Sequence, residues 1–436
     1  MGYPVVKITA DGCTLKFCQQ RFLSDGSQDS GEFTFELNIH QIEGYSWPIP
    51  LKLIHSKDQA MTHFIDPKES SSNVVQIPSL DGLLVNPGRL SFVRVHYSGQ
   101  LLNGINKMIQ TGQLGPRDRL AIIDDQISLA FTGQLPISEL IDLMSAYVGE
   151  SHHIVWDSLY FGMSHIQLLL EEAKIDHAFD SCQVTLAIEN FHKLYQKMAE
   201  PVLNKITWDA IPGEEGNDTL LRPMIITILG KTGYKPVVEE AKARFSTHVD
   251  AVLKSGQESN QIVPDLRKSI YATCMRHGNE GIFDALLQLY EKSTMADEKM
   301  KLLLCLGLPS DLKLRQRAID FNMSDAVRKQ DRYATFTGFY SASAESRRDL
   351  WNFVKENIKS LPDDLGSQSL LSHVCSISCS GFAHFDREKE VQAFWDANPM
   401  KCKMAIKQSI EEIKIKASQL ARDGQNLIDK LCDMTQ

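Results

Sequence analysis

The sequence predicts an α+β multidomain protein: an N-terminal antiparallel β-sandwich over residues 1–98, followed by an all-α, HEAT-like helical solenoid over residues 99–436. Three observations predict it. Short alternations of apolar and polar residues crowd the first hundred positions, separated by clusters of turn-forming residues. After about residue 100 the apolar spacing changes to three and four, the period of a helix with one buried face. The helical segments then come in pairs joined by short loops carrying Gly or Pro, repeating every ~30–45 residues as in a solenoid.

The strands follow in order. An alternating run starts directly after "MGYP", and a second covers Thr14 to Phe22. "EFTFELNI" alternates around Phe33, Phe35 and Leu37, and "PIPLKLIH" around Ile49, Leu51 and Leu53. "MTHFID", "NVVQIP" and "RLSFVRVHY" complete six or seven short strands, each with one face to bury. The stretch "SDGSQDSGE" is a polar loop.

The helices follow as hairpins. "LLRPMIITIL" leads through "GKTGYKP" to "VVEEAKARF", "LRKSIYATCM" through "RHGNEG" to "IFDALLQLY", and "KMKLLLCL" through "GLPSD" to "LKLRQRAIDF". No single hairpin can bury its own apolar stripe, so neighbours stack, and the curved surface they form is the natural seat of a ligand. At the end, Ile406, Ile410, Ile413, Ala417, Leu420, Leu427 and Leu431 form one stripe of a long helix. Gly424 interrupts that stripe and marks either a bend or the close approach of a neighbour.

Composition narrows the function. The chain has 436 residues, 43% of them apolar and 23% charged, which suits a globular protein with more than one core. A net charge of −9 argues against a generic nucleic-acid or anionic-membrane surface, and no apolar run reaches spanning length. The nine cysteines are scattered and odd in number, the pattern of reduced thiols and a cytoplasmic location.

Several fragments imitate chemical motifs and fail on context. "GKT" at Gly230 to Thr232 ends like a phosphate loop, but the position of its leading glycine is Ile225 and its flanks read as helix. "GMSH" at Gly162 to His165 is half a nucleophile elbow, followed by Ile166 in a helical context. His152 and His153 are adjacent, and on a helix they diverge by ~100°. Cys375 and Cys379 have no second ligand pair at zinc-finger spacing and read as packed thiols. No catalytic residue and no metal ligand is assigned.

One stretch stands out chemically. "DAVRKQDRY", Asp325 to Tyr333, places Arg328, Lys329, Gln330, Asp331 and Arg332 in a row between two apolar helical segments. As a solvated turn it needs no ligand. As a site, a guanidinium fork steadied by a carboxylate such as Asp331 would grip the carboxylate of a peptide.

Segments spread over nearly the whole chain resemble one family. "MGYPVV", "CQQRF" and "WPIPL" are similar to the entry into the small sandwich domain of zinc aminopeptidases of the puromycin-sensitive type, a group that includes aminopeptidase N and the endoplasmic-reticulum aminopeptidases. "VNPGRLSFVRVHY" resembles the strand that closes that domain. "LGPRDRLAIIDDQISLAFTGQLPISELIDLM" and "ESHHIVWDSL" resemble the first helices of the family's helical domain. "VRKQDRY" with "RRDLWNFVKENIKSL" resembles a late hairpin, and "EVQAFWDANP" the last repeat. The run "SFVRV" departs from the family, where Gly-Tyr or Gly-Phe-Tyr often precedes the Arg-Val pair.

The resemblance implies the C-terminal region of such an enzyme, with Met1 marking a cut or a gene-model start. The family's zinc motif, His-Glu-x-x-His with a distant Glu, and its Gly-x-Met-Glu-Asn motif occur nowhere in this sequence. Zinc is therefore expected in an absent catalytic domain, and this chain is expected to be inactive alone. In the family the helical domain caps the active-site chamber, gates entry and holds the distal part of long peptides. The partners implied are peptide substrates and the catalytic domain of the same enzyme. Arg328 is the expected peptide ligand, with Gln330 and Asp331 as orienters. The alternative is an inactive HEAT-like interaction scaffold.

Overall fold

The computed structural model describes residues 2–26, 47–55, 59–66, 73–175, 177–255 and 262–434. The strands are β1 (Pro4–Asp11), β2 (Thr14–Arg21), β3 (Ile49–His55), β4 (Gln59–Ile65), β5 (Val74–Gln76), β6 (Leu84–Val85) and β7 (Arg94–His96). They form two sheets, in the orders β5-β2-β1-β7 and β4-β3-β6. The sheets meet through side chains such as Phe17 and His63, whose rings stack at 5.3 Å. β3 shows why the alternation was readable, because Ile49, Leu51 and Leu53 are buried while Pro50 and Lys52 are exposed. "EFTFELNI" lies outside the described residues.

One pairing departs from an all-antiparallel sandwich: β1 runs parallel to β7, with Val6 opposite Val95. β1 and β2 are a tight hairpin and must be antiparallel, whereas β7 returns from far along the chain and carries no such constraint.

The helices begin with α1 (Gly99–Gln110), α2 (Pro116–Phe131), α3 (Ile137–Ser145), α4 (His153–Ile175), α5 (Ser181–Ile206) and α6 (Gly216–Lys231). They continue with α7 (Lys235–Ser255), α8 (Pro264–Arg276), α9 (Glu280–Lys292), α10 (Ala296–Leu306), α11 (Leu312–Met323) and α12 (Tyr333–Ala342). The last are α13 (Ala344–Asn357), α14 (Leu361–Leu365), α15 (Gln368–Cys379), α16 (Phe385–Ala397) and α17 (Lys403–Asp433). Helices form on both sides of all three loops expected from the sequence; α6 packs on α7 and α8 on α9, while α10 packs on α8, α9 and α12. Local chemistry sets many boundaries. Asp180, Asn279, Asp311 and Ser343 cap α5, α9, α11 and α13 through side-chain oxygens. Gly112 ends α1 with a φ of 68°, a left-handed turn that glycine adopts without strain.

The chain divides into two compact units, residues 1–163 with 425–430, and residues 164–424 with 431–436. The change from strand to helix after β7 is a different boundary. In the second unit α6, α8, α10, α12 and α15 pack each against the next, and α7 packs against α9, so stacked hairpins share one core. The tightest step is between α10 and α12. A Cβ at Gly307 would strike the Thr335 carbonyl oxygen, and one at Gly338 the carbonyl of Leu304. Gly424 likewise admits a neighbour, since a Cβ there would lie 2.7 Å from Phe179 Cζ, and α17 continues through it.

Buried charge ties the second unit together. Glu172, fully buried on α4, accepts from Arg347 at 3.1 Å and from Arg348 at 3.1 and 3.0 Å, with His384 Nε2 at 3.4 Å. Burial opposes the charge on Glu172, but His384 and the two guanidinium groups outweigh it and hold the carboxyl down at about 2.

Candidate functional site

Arg328 lies in the link between α11 and α12, just ahead of a 3₁₀ turn over Lys329–Asp331. That link is fastened on several sides. Val327 is buried, and Tyr290 donates to the Ala326 carbonyl at 3.2 Å. Lys329 donates to the Asp363 carbonyl at 2.7 Å. The buried Arg332 donates to the carbonyls of Asp364, Met323 and Ser324, and Asn322 donates to the carbonyl of Arg332. A backbone held by this many bonds presents its outward side chains in a fixed frame.

Within it, Arg328 Nε donates to Asp331 Oδ2 at 2.7 Å. The Asp331 side chain is 7% exposed and that of Arg328 57%. A buried carboxylate thus steadies an exposed guanidinium by its Nε, and the two Nη groups make no hydrogen bond to another described residue. This end-on fork is free to meet a carboxylate with two parallel bonds. The structure brings together two of the three residues singled out in the sequence. Gln330 is exposed and makes no hydrogen bond to another described residue, so it does not orient Arg328. Sequence reasoning missed the holding roles of Arg332 and Asn322. The only signal for them was an arginine and an asparagine bracketing a link between two apolar helices.

The dismissed phosphate-loop and nucleophile-elbow fragments fall in helices, as their contexts placed them, whereas His152 and His153 do not diverge as two helical neighbours would. Gly230 and Lys231 end α6, and Gly162 to His165 lie inside α4. His153 opens α4 and His152 precedes it, their rings stacked at 5.4 Å. Cys375 and Cys379 are buried on α15. Among the described residues no three His, Cys, Asp or Glu side chains converge as ligands of a metal ion would. These residues do not fit a zinc centre, and no zinc-dependent step is assigned to them. No helix among the described residues is long and apolar enough to cross a membrane.

Two concavities lie elsewhere. In the first unit a groove of about 500 Å³ is lined by Tyr3, Trp47, Pro50, Leu90 and Phe92. Leu90 is 69% and Phe92 83% exposed, large apolar side chains that leave this groove with an uncovered rim. In the second unit a cavity of about 660 Å³ is lined by residues including Phe179, Arg348, His384 and Arg387. Its arginines are engaged, Arg348 by Glu172 and Arg387 by Glu390.

A small two-sheet domain followed along the chain by stacked helical hairpins defines a two-part protein, β first and then all-α. The chain belongs to the ERAP1-like C-terminal domain family, whose model matches residues 83–415. It is similar to Aminopeptidase M1 of Arabidopsis thaliana, 28% identical over 96% of this chain and 46% of that protein. It is also similar to the puromycin-sensitive aminopeptidase of Caenorhabditis elegans, 22% identical over 99% of this chain and 44% of that protein. Mouse glutamyl aminopeptidase is 26% identical over 82% of this chain and 35% of its own length. The chain thus spans less than half the length of these relatives.

Proposed function

We propose that this chain serves as the non-catalytic C-terminal region of a cytosolic zinc aminopeptidase. It caps the chamber of the catalytic region and holds the distal part of a peptide whose N-terminal residue is being removed. The observation that carries this reading is the exposed Arg328 fork, steadied by the buried Asp331 on a fastened link. A free α-carboxylate is the group of a peptide that such a fork recognises. Charge-assisted bonds of this kind contribute ~1–2 kcal/mol at a partly exposed site.

Zinc and the attack on the peptide bond belong, on this reading, to the catalytic region of the same enzyme. The groove of Tyr3, Trp47, Leu90 and Phe92 supports a partner of that kind, because an independent scaffold would replace so open an apolar rim with polar groups. The nine cysteines, none of them in a disulfide, support a reducing compartment.

The test is one preparation of the chain assayed for zinc, for hydrolysis of leucine and arginine amides, and for binding of a fluorescent ten-residue peptide. The expected result is no zinc, no turnover and saturable binding that Arg328→Ala weakens about tenfold, the factor that ~1.4 kcal/mol represents. Stoichiometric zinc with turnover, or binding indifferent to Arg328, overturns the reading.

A further inference from the structure

The cavity of about 660 Å³ in the second unit has two unlike walls. One is apolar: Ile175 at the end of α4, Phe179 ahead of α5, and Ala417, Leu420 and Ala421 on α17. Phe179 is seated by the glycine it meets, since a Cβ at Gly424 would lie 2.7 Å from its Cζ. The other wall is cationic. Arg348 and Arg387 lie against the same ring, each with its guanidinium carbon 5.7 Å from the centre of Phe382, and His384 lines the cavity with them. Asp386 is the single carboxylate among the lining residues, and its side chain is 97% exposed.

We propose that this cavity is a binding site for a small organic acid, a molecule with one carboxylate and an apolar body of one or two rings. The two arginines have different parts in it. Arg348 commits both Nη groups to the fully buried Glu172, so it holds the wall in place and is already neutralised. Arg387 gives only Nη1 away, to Glu390, and its Nε and Nη2 bond no other described residue. Glu390 is also shared with Lys355 at 2.9 Å, so one carboxylate stands between two cations and part of the Arg387 charge is unmatched. A half-exposed guanidinium with unused N–H groups on a cavity wall meets a carboxylate with charge-assisted bonds.

The volume and the opposite wall select the ligand class. Small-molecule sites enclose about 300–1,000 Å³ and are mostly apolar, with a few polar groups that fix orientation. Inorganic phosphate or sulfate would leave Phe179, Ala417 and Leu420 without a partner, and a neutral hydrocarbon would leave the Arg387 charge as it was. An acid carrying a ring system uses both walls at once. Its carboxylate meets Arg387, and its rings lie against Phe179 and Leu420.

The experiment titrates 2-naphthoate into the native chain by calorimetry at neutral pH and low salt, with 2-naphthamide as its uncharged twin. The expected result is one saturable site per chain that holds the acid about tenfold more tightly than the amide. Arg387→Ala should bring the acid down to the affinity of the amide. Ala421→Trp, which adds an indole from an exposed position on the apolar wall, should abolish binding of both. Neither substitution enters the core, and circular dichroism checks that both variants fold. The ten-residue peptide used to test Arg328 should not displace the naphthoate. No saturable binding, equal affinity for acid and amide, or binding indifferent to Ala421→Trp overturns the proposal. Displacement by the peptide also overturns it, because the cavity would then take a peptide and not a small acid.

Discussion

Asp331, buried in the turn between α11 and α12, holds the Nε of the exposed Arg328 at 2.7 Å and leaves its two Nη groups without a hydrogen bond to any other described residue. The pair is asymmetric: its carboxylate is built into the fold and its guanidinium is presented outward. Asp331→Asn is therefore expected to keep the turn while loosening Arg328, weakening peptide binding about threefold with little change in melting temperature. Peptide titration and differential scanning calorimetry check this. Unchanged affinity would mean that Arg328 needs no orientation.

The α10–α12 crossing sets a second expectation. Gly307 and Gly338 lie where a Cβ would strike opposing backbone, which cannot move as the tip of a side chain can. Gly307→Ala or Gly338→Ala should cost ~2–4 kcal/mol in urea unfolding, well above what a surface glycine costs on substitution.

Glu172 balances Arg347 and Arg348 inside the second unit. Glu172→Gln leaves two guanidinium groups without their buried countercharge and should destabilise the chain by ~3–5 kcal/mol. Its carboxyl is held at about 2, below the unfolded carboxylate range, so its stabilisation is complete above about pH 4.5 and fades as pH falls toward 2. Acid-induced unfolding of the wild type and the variant should converge in that window.

His96 predicts pH dependence in a higher window. It is buried on β7, neither ring nitrogen has a partner among the described residues, and burial with the nearby Lys7 pushes it down to about 4. The unfolded chain binds a proton near pH 6.5 that the folded chain refuses until about 4, so stability falls as pH drops through that interval. The loss is up to ~3 kcal/mol by linkage. His96→Leu should remove one proton from the slope and raise stability at neutral pH by ~1 kcal/mol, since it deletes an unpaired buried polar group. Urea midpoints between pH 4 and 7 test both parts.

The helical hairpins were legible because their information is local: three-four stripes ending at Gly, Pro, Asp and Asn. The parallel pairing of β1 with β7 was not, because alternation says which face a strand buries and nothing about its neighbour. The boundary between the compact units falls inside α4, between Met163 and Ser164, where an unbroken helix gives composition no linker to reveal. At the candidate site the Arg328–Asp331 spacing was readable as a short-range ion pair. The outward position of Gln330 and the inward one of Arg332 depend on which way a 3₁₀ turn faces, and that is set by Asp363, Asp364 and Met323 elsewhere in the chain.

The central claim, that Arg328 receives a peptide's α-carboxylate, is tested most directly by a double-mutant cycle. One leg is Arg328→Ala and the other is the peptide's C-terminal amide in place of its free acid, with dissociation constants measured by titration calorimetry. The account predicts a coupling of ~1–2 kcal/mol, so that the amide binds wild type and variant equally. Additive effects, with the free acid still preferred by the Arg328→Ala chain, would place the carboxylate elsewhere and contradict the account.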